Sequence, residues 1–213
     1  MIMNRNTVFM YIAVSLVMLV PVPGRLYYGI PVIVILNLLM VLTTLFSKFM
    51  DFMKFYSLKP MSILLLLVGI TIFFRQLLIL YSPVTALTMG FILYMPTVAV
   101  LMLGRFFDNR GMHLKVALIG NMKESAFFSI YAFVFFLLRD IVGYGTISFP
   151  VPSGIVKLEL PTLSYFSPFT FWASIPGALV LSGLLLAVLS FIRKYCGILE
   201  RSVELRQEEQ NDN

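Results

Sequence analysis

Cysteine and histidine each occur once in this chain of 213 residues, at Cys196 and His113. A single thiol excludes an internal disulfide and any multi-cysteine metal site built by this chain alone. A lone loop histidine cannot serve a Ser-His-Asp set, and no P-loop, dinucleotide fingerprint or H-E-x-x-H is present. Charge is scarce too: Asp, Glu, Lys and Arg together make up 12% of the residues, where a soluble domain carries roughly 25%. No carboxylate sits at the middle of an apolar run, which argues against a carboxylate proton relay. What fills the space is apolar, 60% of the chain with 20 phenylalanines. Several runs approach the roughly 20 residues that cross a bilayer. The composition is that of an integral membrane protein, and no chemistry by its own side chains is expected.

The apolar runs predict an all-α polytopic fold with six spans near Val8–Val22, Leu26–Phe46, Pro60–Tyr81, Val84–Phe107, Lys123–Val142 and Phe169–Ile192. The N-terminal run lacks small residues at a cleavage position and is read as a retained first span. Proline-rich stretches mark the breaks, above all "GYGTISFPVPSGIVKLELPTLSYFSP" between the last two spans, where four prolines oppose a regular helix. The six-span domain covers 1–198, in halves of about 1–82 and 83–198, and a polar tail follows over 199–213. Gly24-Arg25-Leu26-Tyr27 and Gly104-Arg105-Phe106-Phe107 sit at matching places in the two halves, and each half's first span carries a proline, Pro21 or Pro96. Two inverted three-helix repeats with interrupted first and fourth spans are therefore expected. Basic residues favour the side that holds Arg5, Lys48, Lys54, Lys59, Arg105, Arg110, Lys115, Lys123, Arg193, Lys194, Arg201 and Arg206, leaving Arg25, Arg139 and Lys157 opposite. The positive-inside rule then places both termini in the cytoplasm. The net charge of +6 reflects that topology and anionic lipid headgroups, with no basic stripe for nucleic acid.

A few polar residues fall inside or beside the spans. Arg75 and Gln76 lie within the third span, either as a polar site facing protein or water or as a snorkelling arginine. Lys123 and Glu124 are placed at the start of the fifth span as an interfacial pair. Asn37 and Asn121 read as interhelical hydrogen-bonding groups. Arg139 and Asp140 are taken as an ion pair where the fifth span leaves the bilayer, with Gly143 and Gly145 allowing a tight turn into an outer loop.

"LLRDIVGYGTISF" resembles a signature of the Rnf/Nqr family of six-span membrane subunits, carried here by Arg139, Asp140 (for the usual Glu), Ile141, Gly143, Gly145, Thr146 and Phe149. "SPFTFWASIPGALVLSGLLLAVLSF" resembles the family's sixth span, with Pro176 and Gly177 in its P-G-A element. "MGFILYMPTVAVLMLGR" is similar to its fourth. The likeness is closest to the E-type subunit of Rnf and the D-type subunit of Nqr, and it covers roughly Leu80 to Arg193. It implies a subunit of an ion-translocating electron transport complex in the bacterial inner membrane. There it would pair with an inverted paralogue, and flavins would sit on other subunits. It also implies a [2Fe–2S] cluster shared by the two paralogues at mid-membrane, each giving two thiolates.

Here the chain departs from the family. The two expected cysteine positions are occupied by Val20 and Val100, and Cys196 lies at the far end of the last span. Valine cannot ligate iron, so no cluster is expected on this chain alone. The fifth span also carries Phe127, Phe128, Tyr131, Phe135 and Phe136 where relatives have small residues. Two readings follow: a divergent, cluster-free subunit of an Rnf/Nqr-like complex, or a membrane substrate-binding component of the vitamin-uptake type.

Overall fold

The computed structural model describes residues 5–104, 106, 113–151, 154–159, 170–188 and 190–191. The polar tail, Cys196, Arg105 and residues 160–169 lie outside them. Helices dominate: α1 (Arg5–Met18), α2 (Leu26–Phe52), α3 (Lys59–Tyr81), α4 (Pro83–Met89), α5 (Met95–Leu103) and α6 (Leu114–Tyr144), then α7 (Thr170–Ala173) and α8 (Ile175–Val188). A 3-10 turn over Gly90–Tyr94 joins α4 to α5. Four stretches are long and apolar enough to cross a membrane: α2, α3, α4 through α5, and α6. Among the described residues, α1 covers 14, short of that length, and α8 is also shorter. Among the described residues the strands form one hairpin, β1 (Thr146–Val151) paired antiparallel with β2 (Gly154–Glu159), Thr146 opposite Glu159 and Val151 opposite Gly154. β-branched residues favour these strands, and Pro150 is tolerated because both strands are edges.

Burial differs from that of a soluble bundle in what faces outward. On α2 the buried face runs Val32, Ile35, Leu36, Leu39, Met40, Thr43, Thr44 and Ser47, at helical spacing, and becomes more polar along its length. The opposite face, Val34, Leu38, Leu42, Leu45 and Phe49, is exposed. On α6 the buried set includes Asn121, Glu124, Ser125, Arg139 and Asp140, while Ile119, Phe127, Ile130 and Phe133 face outward. Polar groups inward and large apolar groups outward suit lipid as the surrounding solvent. This chain is a helical, membrane-embedded protein.

The α2–α6 pair forms the centre. Asn37 donates to Ser129 Oγ (2.7 Å) and accepts from Ser125 Oγ (2.6 Å), and Asn121 donates to Thr44 Oγ1 (3.0 Å). Each such bond within a membrane contributes roughly 0.6–2 kcal/mol. Phe128, Phe135 and Phe136 are all buried here, so the bulky fifth span is not held away from its neighbour. Room comes from the other helix, since a Cβ on Gly29 would stand 2.3 Å from the Phe136 ring. The helix of the expected fifth span, α6, starts at Leu114, earlier than the expected Lys123, with exposed His113 at its N-cap. Lys123 and Glu124 thus lie inside α6, Lys123 exposed and Glu124 buried; apolarity marked the span, whereas the helix itself continues through charged residues.

The connections sort to two ends. At one, Tyr27 Oη meets Ser82 Oγ (2.8 Å) and Thr85 Oγ1, bringing the α3–α4 turn beside the start of α2. At the other, Ser47 donates to the Phe106 carbonyl (3.2 Å), and buried Lys59 pairs with Asp51 at 2.7 Å.

Gly29→Ala should overpack the α2–α6 contact and destabilise the protein by about 1–3 kcal/mol. Thermal unfolding in detergent would show a lower midpoint. Adding Phe136→Leu to the same chain should recover part of the loss, and a wild-type midpoint for Gly29→Ala alone would contradict this packing.

Candidate functional site: the Arg139–Asp140 junction

Arg139 and Asp140 sit in the last turns of α6, and both are fully buried, at 1% and 0% exposure. The expected interfacial ion pair is not what forms. Consecutive helical residues point about 100° apart, so the two head groups serve different neighbours. Neither forms a salt bridge with the other among the described residues; both bind backbone.

Arg139 donates to four carbonyls. Nη1 reaches Val22 O (2.6 Å), Nη2 reaches Ala173 O (2.8 Å) and Ser174 O (3.4 Å), and Nε reaches Trp172 O (3.3 Å). The Phe135 ring lies 6.0 Å below the guanidinium. Asp140 Oδ2 accepts from the Ser148 amide (2.7 Å), the Ser148 hydroxyl (2.6 Å) and the Leu26 amide (3.3 Å), and Oδ1 accepts from Thr146 Oγ1 (3.3 Å). Ser148 Oγ in turn accepts from the Tyr27 amide at 3.3 Å.

The partners are the groups that broken helices leave without mates. In an unbroken helix the Val22 carbonyl would bond the Leu26 amide, four residues on. Pro21, Pro23 and Gly24 interrupt the chain there, and Arg139 takes the acceptor while Asp140 takes the donor. The second break repeats the pattern. Pro176 has no amide hydrogen, so the Trp172 carbonyl four residues earlier lacks its helical donor, and Arg139 supplies one. Ser174 begins α8, its hydroxyl accepting weakly from the Gly177 amide (3.4 Å), with Pro176 in the first turn.

Magnitudes show why the junction tolerates burial. A hydrogen bond to a charged group contributes about 1.5–3 kcal/mol. Four on each head group, some of them long, therefore total on the order of 5–10 kcal/mol, against an effective penalty of several kcal/mol for each buried ion. The balance is favourable while the set is complete and reverses when a head group is lost.

Small residues permit the approach. A Cβ on Gly24 would lie 3.0 Å from Ala173 backbone atoms and 3.1 Å from Arg139 Nε. On Gly143 it would lie 3.1 Å from Ala173, and on Gly177 only 2.1 Å from the Phe171 carbonyl oxygen. Gly143 is helical and packs, so it is not part of the turn. Gly145 makes the turn: its φ is +62° and its amide caps the Ile141 carbonyl at 2.9 Å, which ends α6. Arg25 stacks over the Tyr144 ring at 4.7 Å on the same end of the molecule.

The other sequence candidates fall elsewhere. Val20 (5% exposed) and Val100 (fully buried) belong to one continuous apolar core, Val20 just beyond the end of α1 and Val100 within α5. Arg75 and Gln76 lie on α3 and do not join the junction. Among the described residues no cluster of His, Cys, Asp or Glu could hold a metal ion. Ser148 and the carbonyls of Val22 and Trp172 were not read from sequence. The available signal was the prolines, each of which removes one backbone donor and leaves a carbonyl to be satisfied.

No protein-family model matches the chain, and no curated protein matches it at a significant level.

Arg139→Ala should leave four carbonyls without donors and cost at least about 3 kcal/mol, read as a large drop in the detergent thermal midpoint or in folded yield. Arg139→Lys should fall between, because a point ammonium cannot span the same fork. Gly177→Ala should also destabilise, since its methyl would strike backbone. Wild-type stability in all three would remove the junction from the fold's supports.

Proposed function

We propose that this protein is a non-catalytic subunit of an Rnf/Nqr-like electron transport complex of the bacterial inner membrane, in a divergent form that does not ligate the family's [2Fe–2S] cluster. One observation carries the reading most directly. The arginine, acid and glycines of the family-like signature lie together with the Pro176–Gly177 element at a single buried junction, although more than thirty residues separate them. Two sequence elements chosen for their likeness thus act on each other in space.

The discontinuities add support. α1 stops at Met18, and the fourth apolar stretch breaks at Gly90–Tyr94, where Gly90 has φ +43°, before α5 resumes with Pro96 in its first turn. α1 packs on α5, so the two interrupted stretches adjoin. Gly24 and Gly104 lie at opposite ends of the bundle, the arrangement that inverted repeats require. On this reading Gly24 and Gly104 are counterparts in two three-helix halves, and six helical segments belong to the membrane domain.

The residues do not fit a cluster. Ligation needs thiolates, and the positions that correspond to the family's cysteines hold valines packed into the apolar core. The role left to this chain is that of a scaffold that docks an inverted paralogue and closes the lipid-facing side of the complex. Lys48, Lys54 and Lys59 share one end while Arg25 and the junction share the other, which by the positive-inside rule puts the lysine end and both termini in the cytoplasm.

The substrate-binding alternative has one observation in its favour. A cavity of about 180 Å³ opens between α2, α3 and α4, lined by Tyr27, Pro31, Phe74, Leu78, Tyr81 and Thr85. Its walls are almost wholly apolar, and it lies to the side of the bundle.

Affinity purification from native membranes in mild detergent, with mass spectrometry of the co-purifying chains, tests the reading. Rnf- or Nqr-like subunits are the expected partners, and the isolated chain should show no iron–sulfur absorbance. Recovery with a transport ATPase would favour the alternative, and stoichiometric iron in the isolated chain would refute the cluster-free part.

A further inference from the structure

We propose that Arg75 is a binding site for the phosphate of an anionic phospholipid. This inference is independent of the electron-transport reading.

The placement of α3 comes first. It packs against α2, α4 and α5 along one narrow face, Ile63, Leu67, Thr71 and Leu78, and only 22% of its apolar window is buried. The rest is open, with Leu65, Phe73 and Leu80 each more than 60% exposed. Gly69 apart, this surface carries large apolar side chains, whereas helix contacts inside membranes favour small ones. It is a lipid-facing surface.

Arg75 lies at the margin between that surface and the packed face, four residues on from buried Thr71 and three before buried Leu78. The residue is half-buried, its Nε is enclosed, and that atom has no hydrogen-bond partner. No described residue offers the guanidinium an acceptor or a carboxylate. This sets it apart from the basic residues around it: Arg139 has four carbonyls, Arg25 has the Tyr144 ring and Lys59 has Asp51. An unpaired cation on a lipid-facing helix is costly, so a ligand of opposite charge must complete it.

Depth identifies the ligand. Arg75 precedes Tyr81, the last residue of α3, by six positions, or about 9 Å along the axis. A long arginine stem covers much of that distance by snorkelling toward the bilayer boundary. A phosphodiester there can accept two parallel bonds from the guanidinium fork. Exposed Gln76, one position on, offers a further amide on the outward side.

The test uses the full chain, purified, stripped of lipid and examined by native mass spectrometry on addition of phosphatidylglycerol or phosphatidylcholine. Phosphatidylcholine carries the same phosphodiester, but its choline cation offsets the charge, so the preference must come from net headgroup charge: the wild type should retain one phosphatidylglycerol about tenfold more tightly than phosphatidylcholine. Arg75→Gln should abolish that preference and Arg75→Lys should keep part of it. Equal retention of the two lipids by the wild type would overturn the proposal, whether or not the variants fold. So would an Arg75→Gln chain that keeps its phosphatidylglycerol but loses a protein that co-purifies with the wild type, since the arginine would then belong to a subunit contact.

Discussion

One broken peptide hydrogen bond organises this molecule. Where the chain turns from its first helix into its second, the Val22 carbonyl and the Leu26 amide are the two halves of a helical bond that prolines prevent from forming. In water such groups would be hydrated. In a protein that spans lipid they must find partners inside the fold. Arg139 and Asp140 are adjacent in sequence and complete the two halves separately. Because the same guanidinium also takes the carbonyls at the α7–α8 break, two discontinuities in the chain converge on one turn of α6. The hairpin is drawn in as well, since Asp140 holds its Ser148.

This explains an arrangement that would otherwise be costly. Two fully buried opposite charges in neighbouring positions invite the assumption of mutual pairing, but pairing would leave the helix ends unserved. Backbone dipoles balance Arg139, backbone amides and two hydroxyls balance Asp140, and the glycines at 24, 143 and 177 let the backbone come that close. The α2–α6 interface follows a related rule. Phe136 occupies space that a side chain at position 29 would need, so a bulky residue on one helix is matched by a missing side chain on the other. The contact remains close although the small residues have changed sides.

Much of the architecture was legible in the sequence. Length and apolarity located α2 and α3 closely, from Leu26 and to Tyr81, because glycine, proline and polar turns bound them sharply. Asn37 and Asn121 were correctly read as bridges between helices, since an amide in lipid has few alternatives. The start of α6 was misplaced because apolarity reports where a membrane can be, whereas the helix runs through Lys115, Lys123 and Glu124 beyond that limit. The role of Arg139 and Asp140 was missed for another reason. Most of their partners are backbone groups, which have no letter in a sequence, and those at Val22, Leu26 and 172–174 come from segments that only the tertiary fold brings together. The strands at 146–159 were seen only as an absence of helix.

The junction also has a consequence for how the chain is made. A ribosome delivers α1 and α2 long before α6, so the Val22 carbonyl and the Leu26 amide wait unpaired until residues 139 and 140 arrive. Arg139 then remains only partly satisfied until the segment around Ala173 has been synthesised. A nascent chain halted between these points would hold Arg139 with the Val22 carbonyl as its one carbonyl partner. The junction is thus completed only when the segment from Trp172 to Ser174 has been made.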